Sequence, residues 1–253
     1  MLIKVAAVQS RMGIPLTLED KLHIFKQKAD FVCFPEYFLI NEAQKDFSRA
    51  ALSIKDNLDY LKTLSIELDT CLIGGSVAEG DGEALYNSTY VIDRGAIVGQ
   101  YRKLSPVEGE LRKGILPGDK LFITEIKKVR IAILICADAL NGNLFEAIGQ
   151  RKVDIVFIPT TSPYRPAERK SEKIKRDNEI YLAGAARSGS YIVKTCGVGS
   201  LFGKPLQGRS MIVAPWDFIK KIPDYMEQEP NVLTALLDID EVREFRKKRH
   251  ILI

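Results

Sequence analysis

K-V-R-I-A-I-L-I-C-A-D, Lys128 to Asp138, is the stretch from which the fold of this chain can be read. Between Val129 and Ile135 it holds four β-branched residues, one Leu, one Ala and a single charge, Arg130. A short, continuous apolar run of this kind predicts a strand buried on both faces rather than a half-exposed one. It is too short to span a membrane. The run stops at Cys136, followed by small Ala137 and acidic Asp138. A thiol is thereby placed at the carboxyl end of a central strand, where α/β proteins assemble their sites. A cysteine there is either a small buried hydrophobe or a nucleophile, and the second role needs a partner that removes its proton.

Working outward, strands and helices alternate on both sides of this run. Leu2 to Gln9 reads as a first strand, and Thr17-Leu-Glu-Asp20 as a capping box opening a helix to about Ala29. Asp30 to Glu36 is a second strand closed by Pro35, which cannot donate to a ladder. A long helical region is expected from Asn41 to about Leu68, then a strand over Thr70 to Val77 carrying Gly74-Gly75. Leu85 to Asp93 and Ala96 to Lys103, joined by Arg94-Gly95, have the pattern of a hairpin. Leu121 to Ile126 precedes the central strand. After it the pattern predicts a helix over Asn143 to Lys152, a buried strand over Val153 to Pro159, a loop over Thr160 to Pro166 and a helix over Arg165 to Arg187. Strands at Tyr191 to Thr195, Ser210 to Ala214 and Val232 to Asp240 lead to a closing helix from about Glu241. No linker, repeat or low-complexity segment divides the chain, so one layered α/β domain over residues 1–253 with mixed sheets is expected.

Composition narrows the function. The chain has 253 residues, with 37 basic against 33 acidic, a net charge of +4. That balance argues against nucleic acid or a membrane surface as main partner. The most basic cluster, Arg246 to Arg249, reads as a solvated helix face. The amino terminus lacks the charged leader and apolar core of a signal peptide. Four scattered cysteines without a C-x-x-C spacing suggest reduced thiols and a cytoplasmic setting. His23 and His250 have no ligand-like neighbours, so no structural metal is expected.

Three reactive side chains share one address, the end of a strand: Glu36, Lys103 and Cys136. A carboxylate within reach can take the thiol proton, and an ammonium can hold the charge that develops on a carbonyl oxygen. The Ala137 N–H would add a second donor to that oxygen. A carboxylate near its reference pKa of about 4.3 cannot easily deprotonate a thiol near about 8.5. Burial is expected to raise the first and the adjacent ammonium to lower the second. Tyr37, Tyr164, Thr160 and Thr161 are candidates for the pocket wall, because they lie in the loops after these strands.

The wording around the trio is F-P-E (Phe34 to Glu36), Y-R-K (Tyr101 to Lys103) and I-C-A-D (Ile135 to Asp138). These three blocks resemble the catalytic blocks of the nitrilase superfamily, the carbon–nitrogen hydrolases. G-G-S at Gly74 to Ser76, P-G-D at Pro117 to Asp119 and G-R-S-M-I-V-A-P at Gly208 to Pro215 extend the resemblance over nearly the whole chain. It implies a four-layer α-β-β-α sandwich with two mixed sheets. It also implies Glu36 as general base, Lys103 as stabiliser of the tetrahedral intermediate and Cys136 as nucleophile. The family's second glutamate would be Glu110, seven positions past Lys103, in preference to Glu108. The expected reaction is cleavage of a small amide, carbamoyl compound or nitrile through an acyl-enzyme, without cofactor or metal, in a homodimer or larger homo-oligomer. A non-catalytic binding or assembly protein that keeps the fold is the alternative.

Overall fold

In the computed structural model, which describes residues 1–251, the elements follow in chain order. They begin with β1 (Leu2–Gln9), α1 (Leu18–Lys26), β2 (Phe31–Cys33), α2 (Phe47–Ala51), α3 (Ile54–Glu67) and β3 (Cys71–Ile73). Next come β4 (Val77–Asp81), β5 (Ala84–Asp93), β6 (Ala96–Arg102), α4 (Glu108–Leu111), β7 (Phe122–Ile126) and β8 (Val129–Ile133). After the central strand stand α5 (Gly142–Gln150), β9 (Ile155–Thr160), α6 (Lys170–Asp177), α7 (Ala183–Ser188) and β10 (Tyr191–Cys196). The chain then runs through β11 (Gly199–Leu201), β12 (Lys204–Leu206), β13 (Met211–Val213), β14 (Phe218–Lys221), β15 (Asn231–Asp238) and α8 (Ile239–Ile251).

Two large mixed sheets result. One has the order β15-β1-β2-β3-β5-β4, with β6 paired to β5, and the other the order β14-β13-β10-β9-β8-β7. Side chains alternate along each strand, so one strand feeds two cores. Ile131 and Ile133 of β8 meet Val5, Phe31, Cys33 and Ile73 of the other sheet in the core between the sheets. Ala132 and Leu134 face outward, onto Phe145 and Ile148 of α5 and Ala185 of α7. On the far side Val32 and Leu72 pack with Ile24 of α1 and with Leu61 and Leu64 of α3. The layers are therefore α-β-β-α. The buried strand expected from the 128–138 run is confirmed, with zero exposure for each apolar residue from Val129 to Ile135.

Several expectations need correction. Asn41 and Gln44 do form their capping hydrogen bonds, at 3.0 Å each, but they close a turn. The helix proper begins at Phe47 and breaks before Ile54. The helix expected over 165–187 starts at Lys170 and is interrupted at Asn178–Leu182 by one wide turn of π-helix. Strands β4, β11, β12 and β14 were hidden by glycine, proline and charge. Arg246 is not solvated. It is 9 % exposed, and its guanidinium bonds Asp154 Oδ1 at 2.6 Å and the carbonyl of Gly189 at 3.0 Å. The apolar runs drew attention to strands, whereas Asp154 sits at the start of β9 and collects Arg246 and Arg243 from α8. Arg249 and His250 lie outside the residues whose side chains are described. Among the described residues, no helix is long and apolar enough to cross a membrane.

Candidate active site

Glycine places Glu36. After β2 the chain turns at Pro35-Glu36, and Gly75 passes so close that a Cβ there would lie 2.1 Å from the Pro35 carbonyl oxygen. Gly75 also has φ +62°, which favours a residue without a side chain. Ser76 then locks the turn, its N–H donating to the Pro35 carbonyl at 3.2 Å and its Oγ accepting from the Tyr37 N–H at 3.1 Å. The P-G-D motif serves Lys103 in the same way. The Gly118 N–H donates to the Lys103 carbonyl at 2.8 Å, and a Cβ on Gly118 would meet the Arg102 oxygen at 2.3 Å.

Cys136 ends the central strand in an unusual backbone conformation, φ +47°. A non-glycine residue held there costs on the order of 1–3 kcal/mol and persists only when its surroundings fix it. Asp138 supplies that fixing. Its carboxylate accepts from Ile135 N–H at 2.9 Å, Ser105 N–H at 2.7 Å and Tyr101 hydroxyl at 2.8 Å. The tyrosine of Y-R-K thus ties the lysine's strand to the turn of I-C-A-D across the two sheets.

These turns bring the four reactive residues together. Lys103 Nζ lies 2.8 Å from Glu36 Oε1 and 2.7 Å from Glu110 Oε2, with all three side chains buried. Asn87 Nδ2 donates to both carboxylates at 2.8 Å, and Tyr37 hydroxyl donates to Glu110 at 2.8 Å. The other oxygen of Glu36 accepts from Thr161 N–H at 2.9 Å and from its hydroxyl at 2.5 Å. The Cys136 thiol donates to the Thr161 carbonyl at 3.4 Å and is close enough to Glu36 for each to shift the other's pKa. Glu108 stays outside, turned to solvent with Arg112. Ala137 lines the same cavity, and its N–H meets no acceptor among the described residues.

The charge states reverse the sequence-based expectation. Burial pushes Glu36 up, but Lys103, Thr161 and Cys136 together hold it below the usual carboxylate range. Burial, and then the Glu36 carboxylate, push the Cys136 thiol well up, beyond what Lys103 offsets. Burial lowers Lys103, but Glu36, Cys136 and Glu110 raise it further. One ammonium serves two carboxylates, so the thiol sits beside surplus negative charge and keeps its proton at rest. An ionised carboxylate beside a protonated thiol, rather than a stored thiolate, is the resting arrangement.

A cavity of about 420 Å³ opens over Cys136, with Tyr37, Thr160 and Thr161 in its wall. Tyr164 lies outside that lining and is 45 % exposed, while its loop neighbours Pro163 and Arg165 line the cavity. A larger depression, about 930 Å³ near Met12 and Gln44, contains none of the reactive groups. Among the described residues no group of three His, Cys, Asp or Glu side chains could hold a metal ion. Sequence reasoning missed Asn87. Its signal was an asparagine in mid-strand, where that residue is uncommon.

Exposure separates the thiols. Cys33, Cys71 and Cys196 have no exposed surface, and burial pushes Cys33 and Cys71 up to about 12. Cys136 is half-buried. Limiting iodoacetamide is therefore expected to label Cys136 first, by access rather than acidity, with a rate that keeps climbing above the ordinary thiol range. Peptide mapping after partial labelling checks this, and equal modification of all four thiols in folded protein would contradict it.

A sandwich of two mixed sheets with a thiol, a lysine and one glutamate at strand ends, and a second glutamate on a short helix, defines a class of hydrolases acting on carbon–nitrogen bonds. Residues 4–247 match the model of the carbon–nitrogen hydrolase family, and the chain belongs to that family. It is 25% identical over 239 residues to an omega-amidase of Xenopus tropicalis, covering 87% of this chain and 80% of that protein. A glutamine-dependent NAD(+) synthetase of Thermotoga maritima is 27% identical over 226 residues, covering 84% of this chain but 37% of that protein. Among solved structures, a carbon–nitrogen hydrolase from Helicobacter pylori G27 superposes with a TM-score of 0.83 at 18% identity, over 99% of this chain and 94% of that one. An amidase from Nesterenkonia sp., bearing the acetamide moiety of fluoroacetamide on its active-site cysteine, gives a TM-score of 0.78 at 17% identity. Its match covers 98% of this chain and 95% of that one.

Proposed function

We propose that the protein hydrolyses a small amide through a thioester on Cys136. The observation that carries this reading is the convergence of Glu36, Lys103, Cys136 and the unpartnered Ala137 N–H on one cavity. Glu36 takes the thiol proton as Sγ attacks the carbonyl carbon, so the raised thiol is deprotonated only while the C–S bond forms. The oxyanion settles against Lys103 Nζ and Ala137 N–H. Glu36 then hands its proton to the departing nitrogen, the C–N bond breaks and ammonia or an amine leaves. Water, deprotonated by the same glutamate, attacks the thioester, the C–S bond breaks to release the acid, and Glu36 returns the proton to the departing Cys136 sulfur. Glu110, held by Tyr37, Asn87 and the Val107 N–H, orients Lys103 and the incoming water. The partner is a small molecule, and the protein works as a homodimer or larger homo-oligomer in the cytoplasm.

An ammonia-release screen over primary amides, N-carbamoyl amines and nitriles tests the reading. Amides are expected to react in the wild type and to be inert with Cys136→Ala. Turnover that survives in folded Cys136→Ala, or no release from any compound, would set the reading aside.

A further inference from the structure

Thr161 touches both ends of the first proton transfer. It follows β9, which runs parallel to β8 with Ile155 opposite Ile131 and Phe157 opposite Ile133, so it stands beside Cys136 at the neighbouring strand end. Its carbonyl accepts from the Cys136 thiol at 3.4 Å. Its N–H and its hydroxyl donate to Glu36 Oε2 at 2.9 and 2.5 Å, and the residue lines the catalytic cavity. The hydroxyl contact has the length of a short, charge-assisted O–H···O⁻ bond.

The other nitrogen and oxygen groups bonded to Glu36 cannot do what this hydroxyl can. On Oε1 sit Lys103 Nζ and Asn87 Nδ2, both at 2.8 Å, and neither nitrogen can accept a hydrogen bond. Lys103 also donates to Glu110 at 2.7 Å, which fixes its ammonium between two carboxylates. On Oε2 the Thr161 N–H is likewise a donor only. A hydroxyl both gives and takes, and it rotates to suit. Among the nitrogen and oxygen groups of the described residues that bond Glu36, Thr161 Oγ1 alone can hand one proton on while receiving another.

We propose that Thr161 is a catalytic residue whose hydroxyl carries the proton between Cys136 and Glu36. The proposal rests on the reading of Glu36 as the base. As Sγ attacks the carbonyl carbon, the thiol proton moves onto Oγ1 while the hydroxyl's own proton moves onto Oε2. The S–H bond breaks, the C–S bond forms, the carbonyl π pair becomes the oxyanion and Glu36 becomes neutral. On collapse the order reverses. Oε2 returns its proton to Oγ1, Oγ1 passes one to the departing nitrogen, and the C–N bond breaks. Thr161 leaves each exchange unchanged.

A hydroxyl that merely held the carboxylate would act in the opposite direction. Donors on Oε2 stabilise the anion and weaken the base, so removing one would strengthen it. Loss of a holder should leave acylation level or faster, whereas loss of a carrier should slow it.

Thr161→Val keeps the branched shape without the hydroxyl, and Thr161→Ser keeps the hydroxyl. The acyl donors are a primary amide and p-nitrophenyl acetate, an activated ester whose leaving group needs no proton. Thr161→Val is expected to slow single-turnover acylation by roughly 10- to 100-fold, the range of one hydrogen bond to a charged group, while Thr161→Ser stays close to wild type. A proton inventory on the wild type, with rates read in mixtures of light and heavy water, covers the case in which Thr161→Val fails to fold. Two protons in flight bow that plot, and one gives a straight line. A straight line, or Thr161→Val acylating at or above the wild-type rate, overturns the carrier while amide hydrolysis stands. If no amide reacts, yet the nitrophenolate burst falls in Thr161→Val and is kept in Thr161→Ser, the amidase reading fails and the carrier stands. A folded wild type that gives neither ammonia nor a burst overturns both.

Discussion

Glu36→Gln is expected to lower single-turnover acylation by at least about 100- to 10,000-fold, the usual contribution of a general base. An amide of the same size cannot accept the thiol proton, and the Cys136 thiol, pushed up by burial and by the carboxylate, does not ionise by itself near neutral pH. The substitution also disturbs the hydrogen bonding. Glu36 is surrounded by donors, Lys103 Nζ and Asn87 Nδ2 on one oxygen and Thr161 N–H and hydroxyl on the other. Whichever way the new amide turns, its NH₂ faces one of those donor pairs. A loss of about 1–3 kcal/mol in stability should accompany the loss of rate. Rapid-quench detection of the acyl-enzyme, with circular dichroism to confirm folding, distinguishes the two effects. A folded variant with near-native acylation would remove Glu36 from the base role.

Lys103→Met is expected to damage both the chemistry and the fold. It removes the ammonium from between two buried carboxylates, and breaking such a cluster costs roughly 3–5 kcal/mol because charge is left unpaired. Loss of the oxyanion donor should remove a further ~3 to 4 kcal/mol of transition-state stabilisation. The pH dependence has a definite sign. In the wild type Glu36 is held below its unfolded value, so its contribution to stability is present above a pH of about 4.3 and is lost as pH falls through the lower folded value. In the variant, burial and mutual repulsion raise a carboxyl above its unfolded value. The variant should therefore gain stability as pH falls through that raised value. Urea unfolding at about pH 5 and about pH 8 should show the gap from wild type narrowing at the lower pH. A gap that is absent, or equal at both, would contradict this account of the cluster.

Much of this was legible in the sequence, and the reasons are local. The Val129–Ile135 run could only be a doubly buried strand, and Thr17 to Asp20 formed the capping box its spacing predicts. The hairpin at Arg94-Gly95 formed the same way, with Gly95 at φ +83°. Strand ends then carried Glu36 and Lys103 to one edge of one sheet and Cys136 to the facing edge of the other, and the packing of the two sheets brings them to one place. What failed was decided by neighbours distant in sequence. The charge states of Glu36 and Cys136 depend on how many carboxylates share one lysine, and Glu110 and Asn87 settle that number only in three dimensions. Tyr164 was chosen by proximity to a loop, whereas the cavity wall is completed by Lys194 and Gln207 from strands and turns further along. Arg246 looked like part of a basic surface until Asp154, ninety-two positions away, was in place beneath it.

The division of the reactive groups between the sheets bears on how the molecule comes into being. Glu36, Lys103 and Glu110 follow strands of one sheet, while Cys136 and Thr161 follow strands of the other. The first strand is completed on one side by the last, Leu2 lying opposite Asp238. A chain emerging from the ribosome therefore holds its nucleophile and its base on separate, unfinished surfaces. Neither half holds both groups, so on the proposed mechanism a nascent or misassembled copy does not turn over, although its exposed thiol ionises more readily than in the closed site. Competence arrives only when the two sheets close on each other, which makes the reaction itself a report of completed assembly.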